Sequence, residues 1–271
     1  MALFSGIRTV MVAAMLTGLT AAQAEAARCG SDAGGFEAWK KEFSFEAGKM
    51  GIGQRGLGAL AQTRYSTATI RADRGQKSFK YSLAKFMQVR GANTIIRQGR
   101  SLKNKHASLF ANLENRFGVP AGVLIAIWGM ESAFGRFQGD TNLISATATL
   151  AYDCRRSEYF TAHLVAALQL VDRGVLSAST VGAKHGEWGQ TQFLPGSVLR
   201  YGTDGDGNGR LDLANSTADA LASTAQFLRA HGWRPGGGYQ PGQGNYRAIQ
   251  GWNAASVYQQ AIAIIAKEID G

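Results

Sequence analysis

Long apolar runs, acidic residues and cysteines are all scarce in this 271-residue sequence. The most apolar stretches, residues 10–19 and 119–130, fall short of the roughly 20 residues that cross a bilayer as a helix. That excludes a multi-span membrane protein. Acidic residues number 19 against 29 Lys and Arg, a formal charge of +10. Such a surplus attracts anionic partners, although basic charge also simply aids solubility. Cys29 and Cys154 are the only cysteines, too few for a disulfide-dense scaffold. Internal repeats are missing, and no pair of segments alternates convincingly as strands would. Solenoids and sheet-built folds are thereby set aside.

Residues 1–24 read as a secretory signal. Arg8 gives a basic start, residues 10–19 an apolar middle, and Ala22-Gln23-Ala24 a small-x-small cleavage site. A retained membrane anchor is the rival reading, and the short apolar run speaks against it. Arg28 speaks against Cys29 as a lipidated cysteine. With residues 1–24 removed, 28 basic residues face 19 acidic ones, leaving +9. In the expected compartment, the periplasm, such a protein meets anionic envelope polymers or lipid headgroups, not nucleic acid. An even cysteine count in an exported chain predicts a Cys29–Cys154 disulfide. Two buried free thiols are the alternative.

What the chain does have is helical patterning. Helices are expected over 36–50, 57–62, 93–117, 119–135, 143–152, 157–173, 218–231 and 254–269, with a glycine break over 51–56. Ser216 suits an N-cap and Gly232 a helix end. Residues 65–90 are basic and Ser/Thr-rich, and read as loop with a short helix. Residues 182–195, 204–212 and 235–244 are loops rich in glycine. The expected fold class is mainly α, one domain over 25–271 with long loops between helices. Long ordered loops in a compact domain usually serve a site.

The stretch 119–135 organises the rest. Pro120 suits a first helical turn, and Val123, Leu124, Ile125, Ile127, Trp128 and Met130 follow with almost no polar interruption. A helix apolar all round is buried. Glu131 comes directly after, and Gly135 suits a C-cap one turn later. A carboxyl on an apolar wall has its pKa raised, as a general acid near neutral pH requires. The alternative is a Glu that turns to solvent at a helix end.

Residues 204–212 make the most specific local pattern. Asp204, Asp206 and Asn208 alternate, Gly209 takes the sixth position, and Arg210 offers its carbonyl at the seventh, as in an EF-hand loop. The twelfth position is Asn215 and not Glu, and Asp219 in the following helix is placed to supply the missing carboxylate. Calcium is the expected ion; a Gly/Asp-rich turn without an ion is the other reading.

Several motifs resemble those of one family, the lytic murein transglycosylases of the membrane-bound lytic transglycosylase B type. Glu131-Ser132-Ala133-Phe134-Gly135 resembles the E-[ST]-x-[aromatic]-G signature. Arg155-Arg156-Ser157-Glu158-Tyr159-Phe160 resembles RR-x-x-[YF]-F, and Gly189-Gln190-Thr191-Gln192-Phe193-Leu194-Pro195 resembles G-x-x-Q-F-M-P. The Asp204 loop lies where that family carries an EF-hand-like calcium site, and Trp252-Asn253 where it usually has Tyr-Asn. The resemblance implies a lysozyme-like α fold around a sugar groove. It implies cleavage of the MurNAc–GlcNAc β-1,4 bond of peptidoglycan with a 1,6-anhydro-MurNAc end. Glu131 maps onto the single acid/base; Arg155, Arg156, Tyr159, Gln192 and Asn253 map onto groove positions. Four departures stand out: Gly186-Glu187-Trp188-Gly189 replaces G-A-M-G, Ala183 stands for a family Ser, Trp252 replaces a phenol, and Phe227 stands where Tyr is frequent.

The residue chemistry is compatible with this reading. Paired-carboxylate glycosidases need a second carboxyl about 5–10 Å away. None is paired with Glu131 in sequence, Asp140 and Asp153 being candidates by proximity alone. Gln192, Tyr159 and Asn253 have groups for sugar hydroxyls and acetamides. Trp188 and Trp252 are expected to stack in the groove, Trp233 to pack in the core, and His163 to pack. Arg155-Arg156 suit the carboxylates of peptidoglycan stems. A water-adding muramidase and a wall-binding protein without turnover are the rival functions.

Overall fold

The computed structural model describes residues 28–75 and 81–271. The signal segment over 1–24 lies outside the described residues. Thirteen helices and one two-stranded sheet follow along the described chain. They are α1 (Phe36–Lys49), α2 (Gln54–Ala61), α3 (Thr67–Arg74), α4 (Leu83–Val89), α5 (Ala92–Lys105), α6 (Ala107–Phe117) and α7 (Ala121–Ser132). Then come β1 (Thr141–Asn142), α8 (Leu143–Tyr152), α9 (Ser157–Asp172), β2 (Val181–Gly182), α10 (Pro195–Tyr201), α11 (Thr217–Ala230), α12 (Tyr246–Trp252) and α13 (Ser256–Asp270).

Helix α7 is the axis of the core. All of its residues except Glu131 are buried, as an all-round apolar helix requires. It packs chiefly on α13 and α5. The α13 contact is close because Gly122 has no side chain; a Cβ there would meet the Ala266 carbonyl oxygen at 2.4 Å. No side chain of α7's own N-cap residue, Pro120, caps the helix. Asp270 does so from the far end of the chain, its Oδ1 accepting from Gly122 N at 2.7 Å. A carboxylate at a helix N-terminus also complements the helix dipole. The start of α7 and the end of α13 are thus locked together.

Four details differ from the sequence expectations. Helix α2 starts at Gln54, inside the expected glycine break, because Asp172 accepts from Gly53 N and Gly56 N and supplies the missing cap. The single helix expected over 93–117 is two helices meeting at His106, whose ψ of 33° leaves the helical range. Helices α10 and α12, seven residues each, fall where no helix was expected. Finally, Thr141 and Asn142 pair antiparallel with Gly182 and Val181. Strands of two residues are too short to show any alternation.

Cys29 and Cys154 form a disulfide with Cα atoms 4.9 Å apart, as the cysteine count suggests. Backbone bonds support it on both sides: Gly30 N donates to Tyr152 O and Cys154 N to Gly30 O.

Candidate active site

Glu131 sits at the penultimate position of α7, where the helix emerges from the core. The helix stops at once. Ala133, Phe134 and Gly135 all take left-handed φ values, 49°, 64° and 80°. The C-cap is therefore Ala133 and not Gly135. Non-glycine residues adopt this region only where surroundings hold them, a condition common at functional sites. Here Ser132 does the holding. Its hydroxyl donates to the Gln190 carbonyl and accepts from Gly135 N at 2.8 Å. Phe134 closes edge-on against Trp128, with centroids 5.3 Å apart. The turn that presents Glu131 is thus tied to the glycine-rich loop opposite.

The Glu131 carboxyl opens into a cavity of about 490 Å³, also lined by Tyr159, Ala183, His185, Glu187, Gln192, Ser197, Phe227, Gly251, Trp252 and Asn253. Two donors converge on one of its oxygens. The Tyr258 hydroxyl donates to Oε1 at 2.6 Å and Trp252 Nε1 donates to it at 2.9 Å. Oε2 has no hydrogen-bond partner among the described residues. Burial pushes the carboxyl above its ordinary value of 4.5. The Tyr258 and Trp252 hydrogen bonds and the Arg90 charge pull down, and Glu187 pushes up weakly. One oxygen is fixed and the other is left to carry a proton. Burial first, and the nearby Glu131 charge second, hold the Tyr258 phenol far above 10. Tyr258 therefore acts as a permanent donor.

Trp252, at the position where the resemblance expects a phenol, offers the acid an indole N–H instead. Its ring stands edge-on to Phe193 and Phe227 at 5.3 and 5.1 Å. Gln192, at φ 56°, donates Nε2 to Gly189 O at 2.7 Å, and among the described residues its Oε1 has no hydrogen-bond partner. Asn253 ends α12, its Oδ1 accepting from Ala255 N. Tyr159 is half-exposed on the cavity wall.

Other expectations need correction. Trp188 is not in the groove. It is buried at 5% exposure and lines a separate cavity with Arg173, Val181 and Asp212. An aromatic between glycines looks exposed in sequence, but the loop folds back on itself and turns the ring inward. Trp188 N and O bond Phe193 O and N across this turn, which fixes the loop carrying Gln192. Arg155 and Arg156 do not line the cavity either. Both pair with the buried carboxylate of Asp73. Asp73 is distant in sequence, so local motif reading had no partner for them. Asp140 is exposed and paired with Lys184, and Asp153 is buried and paired with Arg74 at 2.8 Å. Neither lines the Glu131 cavity.

Trp233 is buried and donates Nε1 to Gly118 O at 2.7 Å. His163 accepts from Gly196 N at 3.1 Å through Nδ1, and burial lowers its pKa to about 4, so it is a neutral packing residue. Sequence reasoning missed Tyr258, Glu187, His185 and Ser197. Tyr258 carried no signal, since it reads as one more inner residue of the last helix. Glu187 was visible as a departure from the family pattern.

A second cluster lies in the Asp204 loop. Asp204, Asp206 and Asp219 bring carboxylate oxygens within 4.8 Å of one another. Asp204 is braced by Gly207 N and Gly209 N, both at 2.7 Å, and these bonds, Gly209 N first, hold its carboxyl below the ordinary value. Asp219 is fully buried and accepts from Gly205 N and Asp212 N. Asn208 accepts from Arg210 N. Three clustered carboxylates with all-oxygen chemistry fit a hard divalent cation.

An acid at the end of a buried core helix, facing a cavity and a tethered glycine-rich loop in a mainly helical frame, defines a lysozyme-like protein. The chain belongs to the transglycosylase SLT domain family, whose model matches residues 35–243. Over 122 residues, 44% of this chain, it is 35% identical to the membrane-bound lytic murein transglycosylase B of Escherichia coli (strain K12). That match spans 34% of the relative, about a third of its length. SltB3 from Pseudomonas aeruginosa, solved in complex with NAG-anhNAM-pentapeptide, is similar at a TM-score of 0.80 and 30% identity. The likeness covers 87% of this chain and 80% of that one. Escherichia coli Slt35, solved in complex with calcium, shares the fold at a TM-score of 0.74 and 19% identity, over 90% and 96% of the two chains.

Proposed function

We propose that this chain is an exported peptidoglycan lytic transglycosylase that cleaves the MurNAc–GlcNAc β-1,4 bond and leaves a 1,6-anhydro-MurNAc end. The observation that carries the reading is the Glu131 carboxyl, its pKa raised by burial, with Oε1 held by Tyr258 and Trp252 and Oε2 without a hydrogen bond among the described residues. In the forward step the Oε2 proton passes to the glycosidic oxygen, and the C1–O bond breaks with its electron pair staying on the departing GlcNAc. The same carboxylate then takes the proton of the MurNAc 6-hydroxyl while that oxygen bonds to C1. Atoms balance without water, and one carboxyl serves as acid and then base. Gln192 Oε1, Asn253 and Tyr159 are the groups available to orient the sugars. Their place on the cavity wall supports that role.

One observation favours the water-adding alternative: Glu187 lines the same cavity and could serve as base to a water. Mass spectrometry of a peptidoglycan digest separates the two. Anhydro ends are expected; ends heavier by one water would assign the chain as a muramidase.

Calcium is proposed as a structural ion held by Asp204, Asp206, Asn208, Asp219 and the Arg210 carbonyl. It would neutralise the clustered carboxylates and take no part in the proton transfers. The basic charge, the paired cysteines and the reading of residues 1–24 support export to the periplasm.

A further inference from the structure

The protein is basic, yet among the described residues no Lys or Arg lines the Glu131 cavity. Its charged side chains are two carboxyls, Glu131 and Glu187, with His185 beside the second. Charges on the outer surface are screened within about 8–10 Å at physiological salt, so the groups on the wall set the local field. That field suits positive charge and not an anionic group.

Glu187 comes from the loop over 182–195 and not from α7, and its place is fixed twice. On the backbone, Ala183 N donates to Glu187 O at 2.8 Å and Gly186 N to Ala183 O at 3.0 Å. This closes a tight turn in which Gly186 takes a φ of 83°. On the side chain, His185 N donates to Oε2 at 3.2 Å, and His185 Nδ1 lies 3.6 Å from Oε1. Both oxygens are turned to His185, which suits a fixed charge better than a base that accepts a proton. With 26% of the side chain exposed, the charge still reaches the cavity. The family pattern has Ala at this position. The same cavity lacks the hydroxyl and the phenol that the resemblance expects at Ala183 and Trp252, so Glu187 adds charge where polar groups are missing.

We propose that Glu187 is a second carboxylate of the reacting centre, which stabilises the positive charge that develops on the MurNAc ring while the glycosidic bond breaks. The proposal rests on the transglycosylase reading above and deepens it. As the C1–O bond breaks, its electron pair leaves with the GlcNAc oxygen, which takes the Glu131 proton. C1 and the ring oxygen then share the positive charge until the 6-hydroxyl oxygen bonds to C1. Glu187 forms no bond and takes no proton in this sequence. A fixed charge aimed at charge that develops in the transition state lowers the barrier without reorganisation. The same charge reaches the acid. Burial is the main cause of the raised Glu131 pKa, and Glu187 adds to it against the pull of Tyr258, Trp252 and Arg90. Tyr159, raised first by burial, also feels Glu187, with Arg156 acting against it.

Glu187→Gln should lower kcat by about 10²-fold with little change in KM, as for removal of one pre-organised group that acts only in the transition state. The products should remain anhydro ends. The alkaline limb of the pH–rate profile should move to lower pH, because the Glu131 carboxyl loses a neighbouring negative charge. Glu187→Asp keeps the charge and should recover part of kcat. Glu187→Ala carries the residue of the family pattern and should match Glu187→Gln, which guards against a variant that fails to fold. A readout without turnover starts from Glu131→Gln. Calorimetry compares a GlcNAc-type iminosugar, protonated at its ring nitrogen, with neutral N-acetylglucosamine. Adding Glu187→Gln should weaken the iminosugar about tenfold, the size of one charge-assisted contact, and leave the neutral sugar unchanged. A kcat within about threefold of wild type, an unmoved alkaline limb, or equal losses for the charged and neutral sugars would overturn the proposal. Hydrated ends from wild type would instead overturn the transglycosylase reading, and the iminosugar comparison would still decide the charge at the sugar site.

Discussion

Glu131→Gln should lower turnover by about 10²–10⁴-fold, the range that a positioned acid/base supplies. Gln keeps an oxygen for the Tyr258 and Trp252 donors but delivers no proton. Activity within about tenfold of wild type would remove Glu131 from the mechanism. The same variant makes a stability prediction with a definite sign. The folded carboxyl has its pKa raised above the ordinary 4.5, chiefly by burial. A raised acid binds its proton more tightly folded than unfolded, so stability is full below 4.5 and declines as pH rises from there through the folded value. Glu131→Gln should therefore melt higher than wild type at pH 7, with the gain disappearing near pH 4. Equal gains at both pH values would mean that burial does not strain the charge.

Tyr258→Phe tests the other half of the grip. Phe fills the same buried space against Phe86 and Arg90, so the loss is one hydrogen bond, about 1 kcal/mol of stability. That bond favours the charged carboxylate. Without it the Glu131 pKa moves further up, and the alkaline limb of the pH–rate profile should move to higher pH. A limb unmoved, or moved down, would show that Tyr258 does not reach the acid in solution.

At the scale of elements, local pattern decides much and leaves helix ends open. The alternating oxygens of the Asp204 loop and the Ser216 cap are readable because their partners lie within a few residues. Calcium should raise the melting temperature with little change in rate. A native-state ligand at a hundredfold excess over Kd contributes about 2.7 kcal/mol. Asp206→Ala should abolish that shift, as read by thermal denaturation with calcium and with chelator. Asp219→Asn should destabilise the protein in both, because Asp219 also caps Gly205 N and Asp212 N. A calcium shift surviving in Asp206→Ala would place the ion elsewhere.

Across the whole molecule the disulfide is the long-range tie. It joins residues 125 apart in sequence. Closing so long a loop in the unfolded chain is worth on the order of 4–5 kcal/mol in the chain-entropy model. Reduction, or Cys29→Ala with Cys154→Ala, should lower the melting temperature. Below the new transition kcat should hold, because the Glu131 grip belongs to α7, α12 and α13, which the bridge does not join. A parallel loss of kcat at low temperature would show that the bridge shapes the site.

The sequence by itself determined the helical class, the burial of α7, the cysteine pair, the family motifs and Glu131 as the candidate acid. Each is a matter of composition, of short spacing or of a run of apolar side chains, and such signals need no distant partner. Tertiary structure alone decided what surrounds that acid. Tyr258 lies 127 residues from Glu131, and nothing near either residue announces the pairing. It likewise drew Arg155 and Arg156 onto Asp73, turned Trp188 into the interior, and started α2 and α7 on borrowed carboxylates. The physical reason is common to these cases. A buried polar group must find a partner, and which partner it finds depends on how helices far apart in sequence pack.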